Sequence, residues 1–595
     1  MDELRQHTPQ DIVAIFHASF HPTRGNVIDW SLKTSDDVEL DNLEFNTLPS
    51  GLHLVDQDVV YFSKDGHQGV CAFRRVKTAE QGQRGFRLSS LGVLVAKSSR
   101  PQPWCHVSAL KDLIAMLYSR QELSGSMQPS EADWEPTRRY FEEHKSKETV
   151  GDEGAWKGWS YELDGADADQ SHSHSNPVLH LPHLLRILGP STLTLYKHVI
   201  GRKRILIYTL PPVEAACILC QVAAAFCYEH QANTSDNSYG RLPGKNKEAI
   251  SVLGMITLTD LDRLQAESRT GRGWIACTTD AIFLEKPSHY DLLIDLTTST
   301  PDKATRPTFY ASSPIEQATS SRGPTHRLST IRFAWSDVKL WNELDRILQL
   351  DTSHSHSGGS CCAPSSTADP LKSKYVTAWT DVWRVYEDVC LVCAGLWMGS
   401  WRGNSTASYS TANGAANWGN IRLEGDDDLS LNGQMRNLGQ GIEGRPAPTN
   451  RSMRRTSAMS WSSGKATLTA TTSTTGKARG SVSTSIDRLP EEGSSRDVIE
   501  RDDGQLRTTL ALLQTFHAHT SFQLSTLESF LPPREDRDGG MVVLTPKDIL
   551  VFELGPYSSV DEQYLEWLGD EYGGGVSVSV KRSWKDLFGI VFGYS

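Results

Sequence analysis

The chain has 595 residues, of which 38% are hydrophobic, and its mean hydropathy is −0.40. Lysine and arginine number 60 and aspartate and glutamate 72, which gives a formal net charge of −12 at pH 7. A mildly acidic chain lacks the positive field that attracts phosphate backbones, so no nucleic acid partner is expected. The length has room for several domains, but this composition predicts that part of the chain does not fold.

Targeting signals are not evident in the sequence. The first residues, MDELRQHTPQD, are acidic and polar, whereas a secretory signal peptide needs basic residues followed by an apolar run. We find no uncharged apolar window of about eighteen residues that would predict a transmembrane helix. The ten cysteines lie mostly in apolar runs, at a density far below that of a disulfide scaffold. The sequence therefore predicts a cytoplasmic protein with reduced, mostly buried thiols and no transmembrane segment.

Polar stretches rich in Ser, Gly, Asp and Pro divide the chain into blocks. Such stretches cannot bury enough apolar surface to offset roughly 1–2 kcal/mol of backbone entropy per residue. We therefore expect them to be disordered insertions or linkers. They are an insertion at 121–175, shorter ones near 229–248 and 302–328, a linker at 351–372, and the longest insertion at 403–503.

The first block, residues 1–120, reads as an antiparallel α+β module. Apolar and polar residues alternate over 12–17, the turn residues PTRGN follow, and a second run covers 27–30, which is the pattern of a β-hairpin. A helix is expected to begin near Ser108, a plausible N-cap. Further strands are expected at 59–62, 69–74 and 86–95.

The second block, residues 176–350, alternates strands and helices, and this alternation favours an α/β sheet layered with helices. The run VEAACILCQVAAAFCY follows the first strand and is apolar on all sides, so it predicts a fully buried helix. A further helix is expected after a cap at Ser336. Strands are expected at 204–210, 251–258, 273–277, 282–285 and 292–296.

The third block consists of residues 373–402 and 504–595, on either side of the longest insertion. Helices are expected at 375–397 and 510–530, and the first of these is amphipathic with charges that exclude a membrane span. Thr545 and Pro546 open a short helix, and Ser559 with Glu562 fits a capping box. The C-terminal run SVSVKRSWKDLFGIVFGY is too apolar for a free tail, so we expect it to pack against the core.

Motifs that would carry bond chemistry are weak or missing. Two CxxC pairs lie mid-helix in apolar runs, so we interpret them as buried thiols, with metal or redox use as the alternative. The His pairs lie in Ser- and Gly-rich loops and are interpreted as solvated side chains, although they are metal-ligand types. We find no GxSxG or HExxH motif, and the GxGxxG match at 439–444 has neither a strand before it nor a helix after it. We therefore predict no catalytic residues, no metal and no cofactor. The residues in question are Cys217, Cys220, Cys390, Cys393, His172, His174, His354 and His356.

Two basic clusters are candidates for regulation or partner contact. Arg202, Lys203 and Arg204 lie between a polar turn and a strand, where they either contact an acidic partner or solvate the strand end. A second cluster, RSMRR at 451–455, precedes Thr456 and Ser457 in the longest insertion. This is a typical accessible setting for phosphorylation, and an uninvolved basic patch is the alternative.

Three stretches of the sequence resemble a known family. IVAIFHASFHPTRGNVIDW with LEFNTLPSGLH, then HLPHLLRILGPSTLTLYKHVIGRKRILIYTLPPVEAACILCQVA, and finally VVLTPKDILVFELGPYSSVDEQYLEWLGDEYGG are similar to DENN domain proteins, specifically the LCHN subfamily and its fungal relatives. The resemblance implies a tripartite DENN module, in which a longin-like N-terminal lobe precedes an α/β lobe built from a central and a C-terminal portion.

The resemblance also implies a function. Such modules commonly act as guanine nucleotide exchange factors for Rab GTPases in membrane traffic, so a Rab-family GTPase is the expected partner, and peripheral membrane association would come through it. Exchange needs no catalytic side chain, because it works by differential binding of the nucleotide-free GTPase. The alternative is a DENN-fold trafficking scaffold that binds a GTPase or coat component without releasing nucleotide. A metal-dependent enzyme is a third reading of the scattered His and Cys residues.

Overall fold

The structure is a computed structural model, and it contains one large mixed sheet and one small one. It describes residues 9–78, 85–124, 129–146, 158–164, 176–230, 242, 244–246, 248–298, 306–315, 325–355, 494–537 and 539–581. The large sheet has eleven strands in the order β11-β10-β9-β6-β8-β7-β3-β4-β5-β1-β2. These strands are β1 (Ile12–His21), β2 (Gly25–Lys33), β3 (Gln57–Lys64), β4 (His67–Lys77), β5 (Phe86–Val95), β6 (Arg204–Tyr208), β7 (Ser251–Met255), β8 (Trp274–Thr278), β9 (Leu292–Asp295), β10 (Thr308–Pro314) and β11 (His326–Ile331).

The N-terminal lobe is the antiparallel half of this sheet, β3-β4-β5-β1-β2, as the strand patterns predicted. Helices α1 (Leu43–Thr47) and α2 (Val107–Ser124) belong to it. α2 packs on β4 and β5 through buried Leu110, Leu113, Ile114 and Leu117. The expected N-cap at Ser108 is wrong: α2 continues directly out of a 3-10 turn at Pro103–His106, so Ser108 already lies inside the helix.

The second lobe is built on four parallel strands, β7-β8-β6-β9, to which β10 and β11 add antiparallel neighbours. Both faces of these strands are buried, because helices cover one face and α8 (Leu261–Thr270) with several 3-10 turns covers the other. Ile205 and Ile207 of β6 therefore point into one core, whereas Leu206 and Tyr208 point into the other. Such double burial explains why these strands read as continuous apolar runs.

Helices on one side of the second lobe complete its core. They are α5 (Leu181–Leu188), α6 (Thr192–Ile200), α7 (Glu214–Ala224), α9 (Asp337–Ser355), α10 (Ser494–Phe530), α11 (Pro546–Val551) and α12 (Ser559–Tyr572). Two short parallel strands, β12 (Met541–Leu544) and β13 (Ser577–Val580), pack beside α11 and α12. The predicted α/β and α+β fold class is confirmed.

Helix caps follow the sequence closely but not everywhere. Thr545 and Asp548 form a capping box at the start of α11, as the Thr545–Pro546 pair predicted. The expected box at Ser559 and Glu562 is wrong by one residue, because Ser558 is the N-cap of α12 and its Oγ accepts from the Asp561 amide. The Asp561 carboxylate itself contacts the ammonium group of Lys197.

Three expectations from the sequence, one about a strand and two about disordered insertions, are corrected. The strand predicted at 282–285 is a 3-10 turn, Ala281–Glu285, since a short apolar run suits either element. Part of 121–175 is helical, in α3 (Glu135–His144) and α4 (Trp159–Asp164), and β10 and β11 occupy part of 302–328. Aromatic anchors account for this order, because Trp134, Phe141 and Phe309 are buried.

Other expectations fall on residues that the structure does not describe. The predicted helix at 375–397, nearly all of the 403–503 insertion and the C-terminal residues from 582 lie outside the described ranges. α10 begins at Ser494, within the predicted insertion. The domain boundaries, including those of the 351–372 linker, stay predictions.

The two lobes share one sheet because β3 pairs with β7, and the paired residues are Phe62 and Gly254. Gly254 has a φ of +67°, and a Cβ added there would lie 2.3 Å from the Tyr61 carbonyl oxygen. Only glycine combines this backbone conformation with so close an approach of the neighbouring strand. We call the region where β3 and its neighbours meet β7, α7 and α8 the lobe seam.

Substitution of Gly254 tests the seam. Gly271, which ends α8, has a similar φ of +70° but nothing within 4 Å of an added Cβ. We expect Gly271→Ala to cost about 1–2 kcal/mol, from the backbone conformation alone. Gly254→Ala should cost a further 1–3 kcal/mol or so, because the strands must also move apart. Urea unfolding of the two variants measures the difference, and equal losses would contradict this account of the seam.

Candidate functional site

At the lobe seam, a carboxylate of one lobe caps a helix of the other. Asp58 of β3 is buried, and its carboxylate accepts hydrogen bonds from the amides of Val213 (2.7 Å) and Glu214 (3.1 Å) at the start of α7. Burial raises the pKa of Asp58, and these N–H donors act in the opposite direction. A negative charge at the N-terminus of a helix also interacts favourably with the helix dipole. The cap therefore orients α7 relative to the N-terminal lobe.

Side-chain hydrogen bonds continue along the seam on both sides of the β3–β7 pair. The Asn46 amide donates to the Met255 carbonyl (2.9 Å) and to the Asp260 carboxylate (2.7 Å). Gln68 donates to the Val252 carbonyl at 2.8 Å, and Arg263 donates to the carbonyl and hydroxyl oxygens of Ser63. Polar groups of the two lobes thus satisfy each other, and the seam is a packed contact.

Exposed apolar side chains flank these contacts on both lobes. Phe45 lies on α1 next to Asn46, and Leu258 begins the 3-10 turn that contains Asp260. Their exposed fractions are 37% and 43%, and that of Leu54, on the 3-10 turn Leu52–Leu54, is 54%. The Ser50 hydroxyl, between α1 and that turn, donates to the Asp280 carboxylate of the second lobe at 2.9 Å. We call Phe45, Leu54 and Leu258 the seam surface.

Apolar side chains held at the junction of two lobes are typical of protein–protein interfaces, whose centres are enriched in apolar and aromatic residues. The segments that carry them are fixed by hydrogen bonds across the seam, so a partner would meet a preformed surface. Sequence reasoning did not find these residues. The motif LEFNTLPSGLH contains Phe45 and ends one residue before Leu54, but the sequence does not indicate which of its leucines and phenylalanine face outward.

The basic triplet predicted as a partner contact makes internal contacts. Arg202 is buried and forms ion pairs with Glu229 (2.5 Å) and Glu571 (3.6 Å). It also has a φ of +55°, unusual for a non-glycine residue. Arg202 is therefore not accessible to a partner in this structure, and the interpretation of the triplet as a partner site is corrected for this residue.

Lys203 and Arg204 are partly exposed. The Arg204 guanidinium pairs with the Asp291 carboxylate (2.6 and 3.1 Å), and Lys203 lies 4.7 Å from the centre of the Trp567 ring. Burial lowers the pKa of Lys203. These contacts anchor the start of β6 against β9 and α12, and a role of Lys203 and Arg204 in partner contact stays a prediction.

The other candidate residues are buried thiols or lie outside the described ranges, with the exception of His354. The structure places His354 in the last turn of α9, where a Ser- and Gly-rich loop was predicted. Cys217 and Cys220 are buried in α7, as predicted, and the sulfur atoms of Cys217 and Cys277 are 3.5 Å apart. Burial raises the pKa of Cys217 and of Cys277, so both are thiols, which are poor nucleophiles and poor metal ligands. Among the described residues, no group of His, Cys, Asp and Glu side chains is arranged to hold a metal ion.

The described helices are also too short or too polar for a membrane. None of those within the described ranges offers a span long and apolar enough to cross a bilayer. Thr456 and Ser457, the predicted phosphorylation sites, lie outside the described ranges, so their modification stays a prediction.

The part of the sequence that contains the lobe seam is similar to a known protein family. Residues 15–306 match the family model of DENN domain-containing protein 11. This chain is a DENN domain protein. The matched range includes both sides of the lobe seam, from β1 to just before β10, and the predicted family resemblance is confirmed.

Individual relatives match about half of this DENN domain protein. DENN domain-containing protein 11 of Xenopus laevis is 26% identical over 291 residues, which cover 48% of this chain and 59% of the relative. The Rattus norvegicus protein of the same name is 27% identical over 304 residues, 49% of this chain and 59% of the relative. The Saccharomyces cerevisiae protein named Uncharacterized protein ANR2 is 25% identical over 305 residues, 48% of this chain and 58% of the relative. The chain thus matches somewhat over half the length of these relatives.

A buried ion cluster ties the rest of the DENN domain protein to the matched part. Lys197 of α6 lies inside the matched range, and its ammonium group contacts the carboxylates of Asp337 (2.6 Å) and Asp561 (2.5 Å), at the starts of α9 and α12. All three are buried. The Asp561 carboxylate also accepts from the Ser336 hydroxyl at 2.6 Å and the Gly555 amide at 2.8 Å.

The sequence analysis did not predict the ion cluster, although the sequence contains a feature that indicates it. Every residue of α6, TLTLYKHVI, is buried, and a single lysine in such a helix requires a buried counter-ion. Burial opposes the charge on Lys197, but the two aspartates leave its pKa above the ordinary value. Burial and the neighbouring Asp561 raise the pKa of Asp337. The partners are far away in sequence, so they could not be assigned without the fold.

Removal of the Lys197 charge should be strongly destabilising. Lys197→Met leaves two buried carboxylates without a counter-ion, and breaking a buried pair in this way costs about 3–5 kcal/mol. Lys339→Met is the control, because Lys339 forms an exposed pair with Glu553, and such pairs are worth about 0–1 kcal/mol. Chemical unfolding of both variants makes the comparison, and a loss for Lys197→Met no larger than that for Lys339→Met would show that the cluster does not hold the structure.

A buried histidine next to this cluster predicts how stability depends on pH. His198 Nδ1–H donates to the Thr194 carbonyl at 2.7 Å, and burial lowers the pKa of His198 from 6.5 to about 4. Between pH 6.5 and pH 4, His198 is protonated in the unfolded chain but not in the folded chain. The free energy of unfolding therefore decreases by about 1.4 kcal/mol for each pH unit by which the pH is lowered in this range. Between pH 7.5 and 5, His198 should account for a loss of about 2 kcal/mol.

The measurement is the free energy of unfolding across that pH range. His198→Gln should flatten its pH dependence by about 2 kcal/mol, whatever its effect at neutral pH. His183→Gln, on the exposed side of α5, is the control and should keep the full acid-induced loss. A His198→Gln curve parallel to that of the unsubstituted chain would refute the assignment.

Proposed function

We propose that this DENN domain protein is a guanine nucleotide exchange factor for a Rab-type small GTPase in membrane traffic, and that the GTPase binds at the seam surface. The observation that carries the proposal is the family match over residues 15–306, because DENN domains generally act on Rab GTPases. The seam surface lies within the matched range and presents apolar side chains from both lobes.

Exchange at this surface needs binding energy and no bond chemistry. An exchange factor binds the GTPase more tightly in its nucleotide-free conformation than in its loaded one, and by linkage the nucleotide is then bound more weakly. Each tenfold acceleration of release requires about 1.4 kcal/mol of differential binding. The GTPase switch segments supply the difference, since their order depends on the γ-phosphate and magnesium.

The seam surface suits this task because it is preformed. Phe45 and Leu258 are adjacent to Asn46 and near Asp260, which hydrogen-bond to each other across the seam. Little side-chain or loop ordering is then required when a partner binds, so more of the contact energy is available for discrimination. A specific contact of this kind buries roughly 1,200–2,000 Å² in total, of which these side chains would form the apolar centre. The proposed place of action is the cytoplasmic surface of an organelle, reached through the GTPase.

The experiment is nucleotide release from a panel of Rab GTPases loaded with fluorescent GDP, with the full chain added. At least one GTPase should release GDP faster. A double variant, Phe45→Asp with Leu258→Asp, should reduce that acceleration tenfold or more, because charges replace apolar contacts at the centre of the interface and cost about 1.4 kcal/mol or more.

Met541→Asp is the matched control. Met541 is 67% exposed and lies on β12, which takes no part in the seam contacts described above, so its substitution should leave release unchanged. Binding to a GTPase without faster release across the whole panel would favour the trafficking scaffold. Equal losses for the seam and control variants would remove the seam surface from the proposal.

A further inference from the structure

An open groove runs between α9 and α10, on the helical side of the second lobe. Its volume is about 550 Å³. One wall carries Leu340, Glu343 and Ile347, which follow each other on α9 at helical spacing, and the other carries side chains of α10. Those α10 residues are Ala511, Gln514, Thr515, Ala518, His519 and Phe522. Glu553, which follows α11, also lines the groove.

The groove has the features of a seat for a third helix. Phe522 is 38% exposed at its edge, and Leu350, at 55%, continues the α9 stripe beyond Ile347. Ala511, Thr515 and Ala518 are small and repeat at helical spacing, so a backbone could approach α10 closely. A groove between two helices with apolar side chains in both walls is filled most efficiently by an amphipathic helix that inserts its own apolar ridge.

The chain itself supplies a matching segment at 375–397. Apolar residues recur there at alternating intervals of three and four, which is the heptad pattern of a helix that packs against other helices. Charged residues at 381, 384, 387 and 388 fall outside this stripe. The stripe consists of Val376, Trp379, Trp383, Tyr386, Cys390, Cys393 and Trp397.

Connectivity favours this segment over a separate partner. α9 ends at Ser355 and α10 begins at Ser494, so the chain that contains 375–397 leaves one wall of the groove and returns to the other. A connection of about twenty residues can span some 60 Å, whereas α9 is about 28 Å long, so the segment reaches the whole groove. A tethered segment is present at an effective concentration of roughly millimolar, far above that of a second copy of the chain.

We propose that residues 375–397 bind as a helix in the groove between α9 and α10, with the heptad stripe against Ile347, Ala518 and Phe522. The bound helix completes the C-terminal portion of the module and covers its exposed apolar side chains. The assignment does not depend on exchange activity, since it concerns a contact within the chain.

Cysteine crosslinking in the full chain tests the proposal. The segment carries Cys390 and Cys393, and the six cysteines in the described ranges are all buried. Ala518→Cys places a thiol in the groove with little change in volume. A short bismaleimide reagent should join this thiol to Cys390 or Cys393 within one chain, at a yield at least tenfold above that of Ser119→Cys, an exposed control on α2, and independent of protein concentration.

Variants of the segment make the result specific. Trp383→Asp puts a charge into the heptad stripe and should lower the crosslink yield at least tenfold, whereas Glu387→Gln, outside the stripe, should leave it unchanged. Peptide mass spectrometry identifies the joined residues. Equal yields from Ala518→Cys and Ser119→Cys, crosslinks formed only between two chains, or a yield unaffected by Trp383→Asp would overturn the proposal.

Discussion

The architecture of the described chain depends on how β3 meets β7. One pair of residues, Phe62 and Gly254, joins an antiparallel lobe to a largely parallel one, and the backbone of Gly254 adopts a conformation that other residues rarely accept. So short a pairing would be weak alone. Asp58, Asn46 and Arg263 add hydrogen bonds on either side, and each satisfies a group that burial would otherwise leave unpaired. The lobes are thus parts of a single body.

In the second lobe, too, a few buried contacts join elements that are far apart in the sequence. Its sheet is formed entirely by β6 to β11, but the helices that cover it come from both sides of residues 356–493. The Lys197 cluster connects the starts of α9 and α12 to α6, directly before β6. A buried ion pair contributes less to net stability than to specificity, because other arrangements would leave a charge unpaired. This property suits a chain whose C-terminal elements must find their places after a long separation.

Much of the fold was predictable because its strands and helices have strong local patterns. β5, α11 and the β1–β2 hairpin follow from periodicity, turn residues and caps. The error at 282–285 came from a run too short to distinguish a strand from a turn. The helix α3 was missed because its surroundings are polar, while its anchor, Trp134, stacks on Trp30 at 4.3 Å, a contact that no local pattern reveals.

The candidate site was less predictable than the fold, and the reason is distance along the chain. Arg204 and Asp291 are 87 residues apart. Glu571 lies further from Arg202 along the chain, and both aspartates lie further from Lys197. A basic triplet at a strand end therefore looks like a free surface until its acidic partners are placed. The exposure of a side chain is equally hard to predict from the sequence. Phe45 and Leu43 belong to one short helix, and Leu43 faces the core whereas Phe45 faces outward.

A rigid lobe seam bears on the proposed exchange activity. A ligand shifts a conformational equilibrium only by the difference between its affinities for the two states. A hinged pair of lobes would follow the switch segments of a GTPase as they reorder, so it would bind both nucleotide states with similar energy and accelerate release little. Lobes fixed by a shared sheet and by Asp58 at the start of α7 cannot adapt in this way. In the proposed complex, the cost of a mismatch then falls on the GTPase, whose switch segments depend for their order on the γ-phosphate and magnesium.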